Sequence, residues 1–263
     1  MMEARIQQQL EAYIGLDHTT KQVCTRARLN TVISHYMLRV PFENLNVLNG
    51  VPIALDDDAM LRKIVDEGRG GFCYEQNRFF LRYLQSIGYE GYHVSATVNI
   101  PGRNQWAMTD SHMTSIITID GQKYLVDVGF SDIPKCALPL PKAGRRDVME
   151  NGQTYAIRNI DADTYDLMRV DHGTETVLYR FVDKVKVLAD FEAGITYHTT
   201  DPTAPFKQSL LVSKALKNGR MTMSHAHITI VRGQEVQKFS YDADRYPSSC
   251  KLIDMLDQLS VGE

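Results

Sequence analysis

The spacing of apolar residues changes near residue 90, from steps of three and four to alternation, and this one feature restricts the fold more than any other. A single helical bundle cannot accommodate the second half, and a single sheet cannot accommodate the first. Segments 3–14, 20–38, 57–67 and 73–87 have the helical period, with Gly15, Gly50, Gly68 and Gly88 where helices or loops end. From Tyr92 onward, Tyr92, Val94, Ala96, Val98 and Ile100 alternate with His93, Ser95, Thr97 and Asn99 up to the Pro101-Gly102 turn signal, which predicts a half-buried strand. Further strands are expected at 112–119, 123–128, 155–160, 164–170 and 176–182, broken at Asp120-Gly121 and at Asp171-His172-Gly173. The last third mixes the two patterns: 206–216 and 249–259 permit helix, 222–231 and 235–241 read as strands. The class is therefore α+β with antiparallel pairing in the middle, and the period changes place domain edges near 88 and 190, giving 1–88, 89–190 and 191–263.

Charge excludes whole classes of partner. With 29 Lys and Arg against 32 Asp and Glu, the net charge is -3, which does not suit an electrostatic binder of nucleic acid or of a membrane surface. Small-molecule partners are expected instead. No run approaches the roughly 20 apolar residues of a membrane span, and the N-terminal MMEARIQQQLEAYIG is charged and Gln-rich rather than signal-like, so a cytoplasmic location is expected. Cys24, Cys73, Cys136 and Cys250 stand far apart without a CxxC pair, which indicates neither a zinc site nor a disulfide framework.

The chemistry concentrates at GRGGFCYEQNRFF, residues 68–80. A helix starting at Cys73 sets the sulfur among backbone N–H groups that have no intrahelical acceptor, where the macrodipole favours thiolate. Gly70 and Gly71 permit a sharp turn and leave room for a ligand beside the sulfur. A two-residue turn at Asp120-Gly121 then sets Thr114 opposite Asp127 and His112 opposite Gly129. Asp127 is thereby a diagonal neighbour of His112 on one face, at about 7 Å between strands, within reach of an imidazole–carboxylate hydrogen bond. A three-residue loop would send Asp127 to the opposite face.

A cysteine at a helix start, followed by a histidine and an aspartate on a hairpin, is the order of papain-like cysteine enzymes and their relatives. RGGFCYEQN (Arg69 to Asn77), PFENL (Pro41 to Leu45), HMTSIITIDGQKYLVDVGF (His112 to Phe130) and AYIG (Ala12 to Gly15) together resemble the arylamine N-acetyltransferase family. The resemblance implies an N-terminal helical bundle, a middle antiparallel β-barrel and a C-terminal α/β lid around a cysteine-protease-like core. It implies Cys73 as nucleophile, His112 as base and Asp127 as its orienter, with acetyl-CoA as acyl donor and no metal. The acceptors it implies are arylamines, with arylhydrazines and the O-acetylation of arylhydroxylamines as extensions. Phe130 matches an aromatic that lines the acceptor pocket in relatives, with core packing as the equal alternative. Glu43 and Arg69 are expected to form an ion pair bracing the loop that presents Cys73, and Trp106 is expected to be a packing anchor or partly exposed rather than a gate.

Two positions depart from the family pattern. Ser131 follows DVGF where glycine is usual, and Ala204 stands where a serine is usual before Pro205-Phe206. Arg220, after Gly219, could face CoA phosphates or sit solvated. His225 and His227 alternate along an expected strand without nearby ligands in a metal-binding spacing, so no metal is expected there. The same triad also suits a papain- or transglutaminase-like hydrolase, an amide-forming acyltransferase working on a carrier, or a binding protein with little turnover.

Overall fold

The computed structural model describes residues 2–16, 23–100, 105–233 and 235–240. The expected helix at 249–259, the turn at Pro101-Gly102, Cys250 and the start of the 20–38 helix lie outside the described residues.

The N-terminal part holds α1 (Ala4–Ile14), α2 (Arg26–Arg39), α3 (Leu45–Asn49), α4 (Asp57–Leu61), which continues into a π-helical turn Arg62–Asp66, and α5 (Cys73–Ser86). Each end has a local cause. Thr25 accepts the Arg28 N–H at the start of α2, Asp56 accepts the Ala59 N–H at the start of α4, and Gly15 closes α1 with φ of 74°. Between α2 and α3 runs a two-residue strand, β1 (Phe42–Glu43).

The middle part carries β2 (Glu90–Ile100), β3 (Gln105–Trp106), β4 (His112–Ile119), β5 (Gln122–Val126), β6 (Leu138–Pro139), β7 (Arg145–Glu150), β8 (Gln153–Asn159), β9 (Thr164–Asp171) and β10 (Thr174–Val182). They form one antiparallel sheet in the order β6-β5-β4-β2-β10-β9-β8-β7, with β3 beside β2, curled into a nearly closed barrel. Three hairpins turn on two residues with φ > 0, Asp120-Gly121, Asn151-Gly152 and His172-Gly173, the geometry that matches the twist of the flanking strands. The barrel interior is filled by Val94, Ile116, Leu125, Ile157, Leu167 and Phe181 among others.

The C-terminal part has α6 (Glu192–Thr200), α7 (Pro205–Gln208), β11 (Val212–Leu216), β12 (Gly219–Met223), β13 (His227–Arg232) and β14 (Glu235–Ser240). These strands extend β1 into a second sheet, β1-β11-β12-β13-β14, so the segment that bridges to Gly71 in the loop before Cys73 is stitched to the C-terminal part. No helix among the described residues is long and apolar enough to cross a membrane.

Three expectations are corrected. The helix expected over 206–216 stops at Gln208, and the rest is strand β11; Val212 and Leu216 satisfy a helical step and an alternating one equally, and pairing to both β1 and β12 decides for strand. The strand expected over 222–231 breaks at Ser224, whose N–H donates to the His227 carbonyl, so His225 falls in the turn and shares no strand face with His227. The strand expected over 123–128 ends at Val126, beyond which the Val128 N–H donates to the Asn77 side chain instead of to a strand.

Candidate active site

Cys73 is the first residue of α5 and is 2% exposed. Glu75, three residues into the helix end, accepts the Phe72 N–H at 3.2 Å. Gln76 donates to the carbonyls of Pro41 and Gly71, clamping the turn. The glycines act differently from the expectation. Gly70 and Gly71 have no positive φ; a Cβ on Gly70 would stand 1.8 Å from the Pro41 carbonyl oxygen, so the requirement is a close backbone crossing rather than a special turn or ligand space.

Beneath this loop lies a buried charge network. Lys63 Nζ meets Glu75 at 2.9 Å and Glu43 at 3.1 Å, while Arg69 meets Glu43 at 2.9 Å. The expected Glu43–Arg69 pair is present and buried. Burial pushes the Glu75 carboxyl up, against the pull of Lys63.

The hairpin register is the expected one, Ile119 opposite Gln122 through to Ser115 opposite Val126. The ladder stops there because Asn77, one helical turn after Cys73, replaces it. Its Nδ2 donates to the Met113 carbonyl at 2.7 Å and to Asp127 Oδ1 at 2.9 Å, and its Oδ1 accepts the Val128 N–H at 2.9 Å. Asp127 Oδ1 also accepts the Gly129 N–H at 2.8 Å. Gly129 then passes so close that a Cβ would lie 2.7 Å from Cys73 Cα.

Asp127 Oδ2 lies 2.6 Å from His112 Nε2, both side chains nearly fully buried. That leaves Nδ1 as the ring nitrogen of His112 available to Cys73, whose side chain also favours the charged imidazole. Burial alone would lower the His112 pKa; the charge and hydrogen bond of Asp127, with a smaller contribution from Cys73, outweigh it and raise the imidazole to about 10. Asp127 is held below the usual carboxylate range, because His112, Asn77 and the Gly129 N–H outweigh its burial. Tyr179 donates to Asp127 Oδ2 at 2.9 Å from a position beside a β-bulge between Val177 and Tyr179 of β10.

These groups open on a cavity of about 530 Å³ that Cys73 and His112 share with Phe42, Val98, Phe130, Ser111, His198 and Phe206. Phe130 stands edge-on to His112, ring centroids 5.4 Å apart, on the wall of this cavity. Ser131 lines it as well. Trp106 is 41% exposed beneath the Arg180 guanidinium. Ala204 is buried at the start of α7, and Arg220 is committed to Asp132, which also pairs with Arg169. Among the described residues no group of His, Cys, Asp and Glu is arranged to hold a metal.

Asn77 and Tyr179 escaped the sequence reading. Asn77 carried a signal, its four-residue step from Cys73, which sets both on one helix face. Tyr179 carried none, because only the pairing of β10 with β2 brings it near Asp127.

A family model described as N-acetyltransferase matches residues 26–251. Among curated relatives, arylamine N-acetyltransferase of Mycolicibacterium smegmatis is 27% identical over 240 residues, 88% of this chain and 84% of that protein. Arylamine N-acetyltransferase from Salmonella typhimurium superposes with a TM-score of 0.85 at 22% identity, covering 98% of this chain and 91% of that one. An arylamine N-acetyltransferase of Bacillus cereus, described as having a unique Cys-His-Glu catalytic triad, superposes with a TM-score of 0.80 at 23% identity over 93% and 95% of the two chains. The third position here is Asp127.

Proposed function

The chain belongs to the arylamine N-acetyltransferase family, and on that premise we propose that it acetylates arylamines from acetyl-CoA by a ping-pong route through an acetyl-cysteine on Cys73. The observation that carries the reading is the buried chain Cys73–His112–Asp127, with His112 Nε2 at 2.6 Å from the carboxylate and the sulfur at the wall of an aromatic-lined cavity.

An acyltransferase needs a nucleophile, a group that moves one proton twice, and a donor to the developing oxyanion. In our reading Cys73 Sγ, as thiolate beside the His112 imidazolium, attacks the thioester carbonyl. The oxyanion takes a hydrogen bond from the Cys73 N–H, which has no acceptor inside the helix. The C–S bond to CoA breaks, and His112 gives its proton to the departing CoA thiolate. The amine then attacks the acetyl-cysteine carbonyl, neutral His112 accepts the amine proton, and collapse returns the Cys73 thiolate–imidazolium pair. Asp127 fixes which imidazole nitrogen faces the sulfur and stabilises the charged ring without itself taking the proton.

Phe130 and Phe206 supply flat apolar walls to an aryl acceptor, and the same cavity suits hydrazines and hydroxylamines of similar shape. CoA phosphates are not assigned to Arg220, since its charge is already matched by Asp132. The test is intact-protein mass after mixing with acetyl-CoA in the absence of amine, for wild type and Cys73→Ala. One acetyl adduct on wild type alone, discharged by an arylamine, is the expected result. No adduct and no CoA release would overturn the reading and favour a hydrolase.

A further inference from the structure

His198 is a second histidine in the wall of the same cavity, and the mechanism above makes no use of it. It comes from α6, packs among the rings of Phe72, Tyr74 and Phe206 at centroid distances of 6.4, 6.1 and 5.0 Å, and is 6% exposed. One ring nitrogen is accounted for, since Nε2 lies 3.1 Å from the Ser111 carbonyl oxygen, to which only an N–H can donate. Nδ1 of the neutral ring is therefore a bare lone pair. It is buried and has no hydrogen-bond partner among the described residues; the Ser111 hydroxyl, on the same cavity wall, has none either. A buried acceptor with no donor is costly and rare in a finished core, whereas in a binding pocket it is what a substrate donor satisfies.

We propose that His198 is a specificity-determining residue that reads the acceptor amine, its Nδ1 accepting a hydrogen bond from an N–H or O–H group carried elsewhere on the acceptor. This inference rests on the acetyl-transfer reading above. The acceptor class it names is arylamines and hydrazides with a second donor, such as a ring hydroxyl or the inner N–H of a hydrazide. Ring carboxylates are disfavoured, because a lone pair facing a carboxylate oxygen is repulsive. Burial pushes the His198 pKa down, the Ser111 carbonyl opposes this, and the His112 charge adds to the lowering, so the ring stays neutral and keeps that lone pair.

The test separates the two half-reactions. The acetyl-enzyme is first formed from acetyl-CoA on wild type, His198→Leu and His198→Asn, and followed by intact mass. Its discharge is then timed with 4-aminophenol and with 4-methoxyaniline, which differ by one hydrogen-bond donor. The expected result is that the ratio of the two discharge rates falls about fivefold in His198→Leu and returns in His198→Asn, whose Oδ1 stands near the place of Nδ1. Should His198→Leu fail to fold, His198→Gln retains a donor toward Ser111 and sets no acceptor where Nδ1 stands. An unchanged ratio overturns the proposal, as does slowing confined to the acetylation step, which would assign Nδ1 to the CoA arm. Absence of any adduct on wild type removes the acetyl-transfer reading itself, and this inference with it.

Discussion

Asn77 Nδ2 donates to Asp127 Oδ1 at 2.9 Å, so the helix that begins at Cys73 also holds the carboxylate that meets His112. The same amide replaces the next rungs of the β4–β5 ladder by bonding the Met113 carbonyl and the Val128 N–H.

Asn77→Ala therefore removes three buried hydrogen bonds at once and leaves a buried carbonyl and N–H unpaired. Stability is expected to fall by roughly 3 kcal/mol, which for a chain of this size is about 6–12 °C in Tm. Calorimetry gives the stability, and the yield of acetyl adduct per protein is expected to drop in parallel.

Tyr179→Phe keeps the ring and removes only the hydroxyl that donates to Asp127 Oδ2. The cost in stability is expected to be about 1–2 kcal/mol, as for one hydrogen bond to a charged acceptor. The rate of Cys73 acetylation is expected to fall by about tenfold, measured by stopped-flow CoA release, with the discharge by different amines slowed by a common factor.

The His112 pKa of about 10 in the folded protein, against an ordinary value of 6.5, makes the folded state bind the extra proton between those values. Its contribution to stability is complete below about pH 6.5 and is lost as pH rises through 10. Wild type minus His112→Gln, compared by thermal unfolding from pH 6 to 10, is expected to narrow steadily over that window. A difference that widens with pH would contradict the buried imidazolium.

Two glycine replacements are expected to fail differently. Gly129→Ala drives a methyl against Cys73 Cα and the Asn77 amide, each 2.7 Å from the ideal Cβ position, so acetylation is expected to disappear. Gly121→Ala meets no neighbour within 4 Å but must hold φ near 76°, which costs on the order of 1 kcal/mol and leaves the acetyl adduct intact.

Much of this site was legible because its parts are local. Cys73 needed only a helix start, and the His112–Asp127 contact needed only a two-residue turn, which φ values of 49° and 76° at Asp120 and Gly121 now account for. The illegible parts are those settled by distant partners. Tyr179 reaches Asp127 through strand pairing across some eighty residues of sequence, and β11 became a strand because β1 lies beside it. Near residue 200 the sequence has neither a clear alternation nor a strong helical stripe, so α6 and its His198 had no local announcement.

The strand order β4-β2-β10 has a consequence in time. Cys73, His112 and Asp127 all precede β10, which pairs with β2, and the hydroxyl that completes the carboxylate's surroundings arrives with residue 179. During synthesis the Cys73 thiol and the His112 imidazole thus emerge before the last partner of Asp127 does. The docking of β10 on β2 supplies the last partner of Asp127, and the labelling rate of Cys73 during refolding is expected to report on that step.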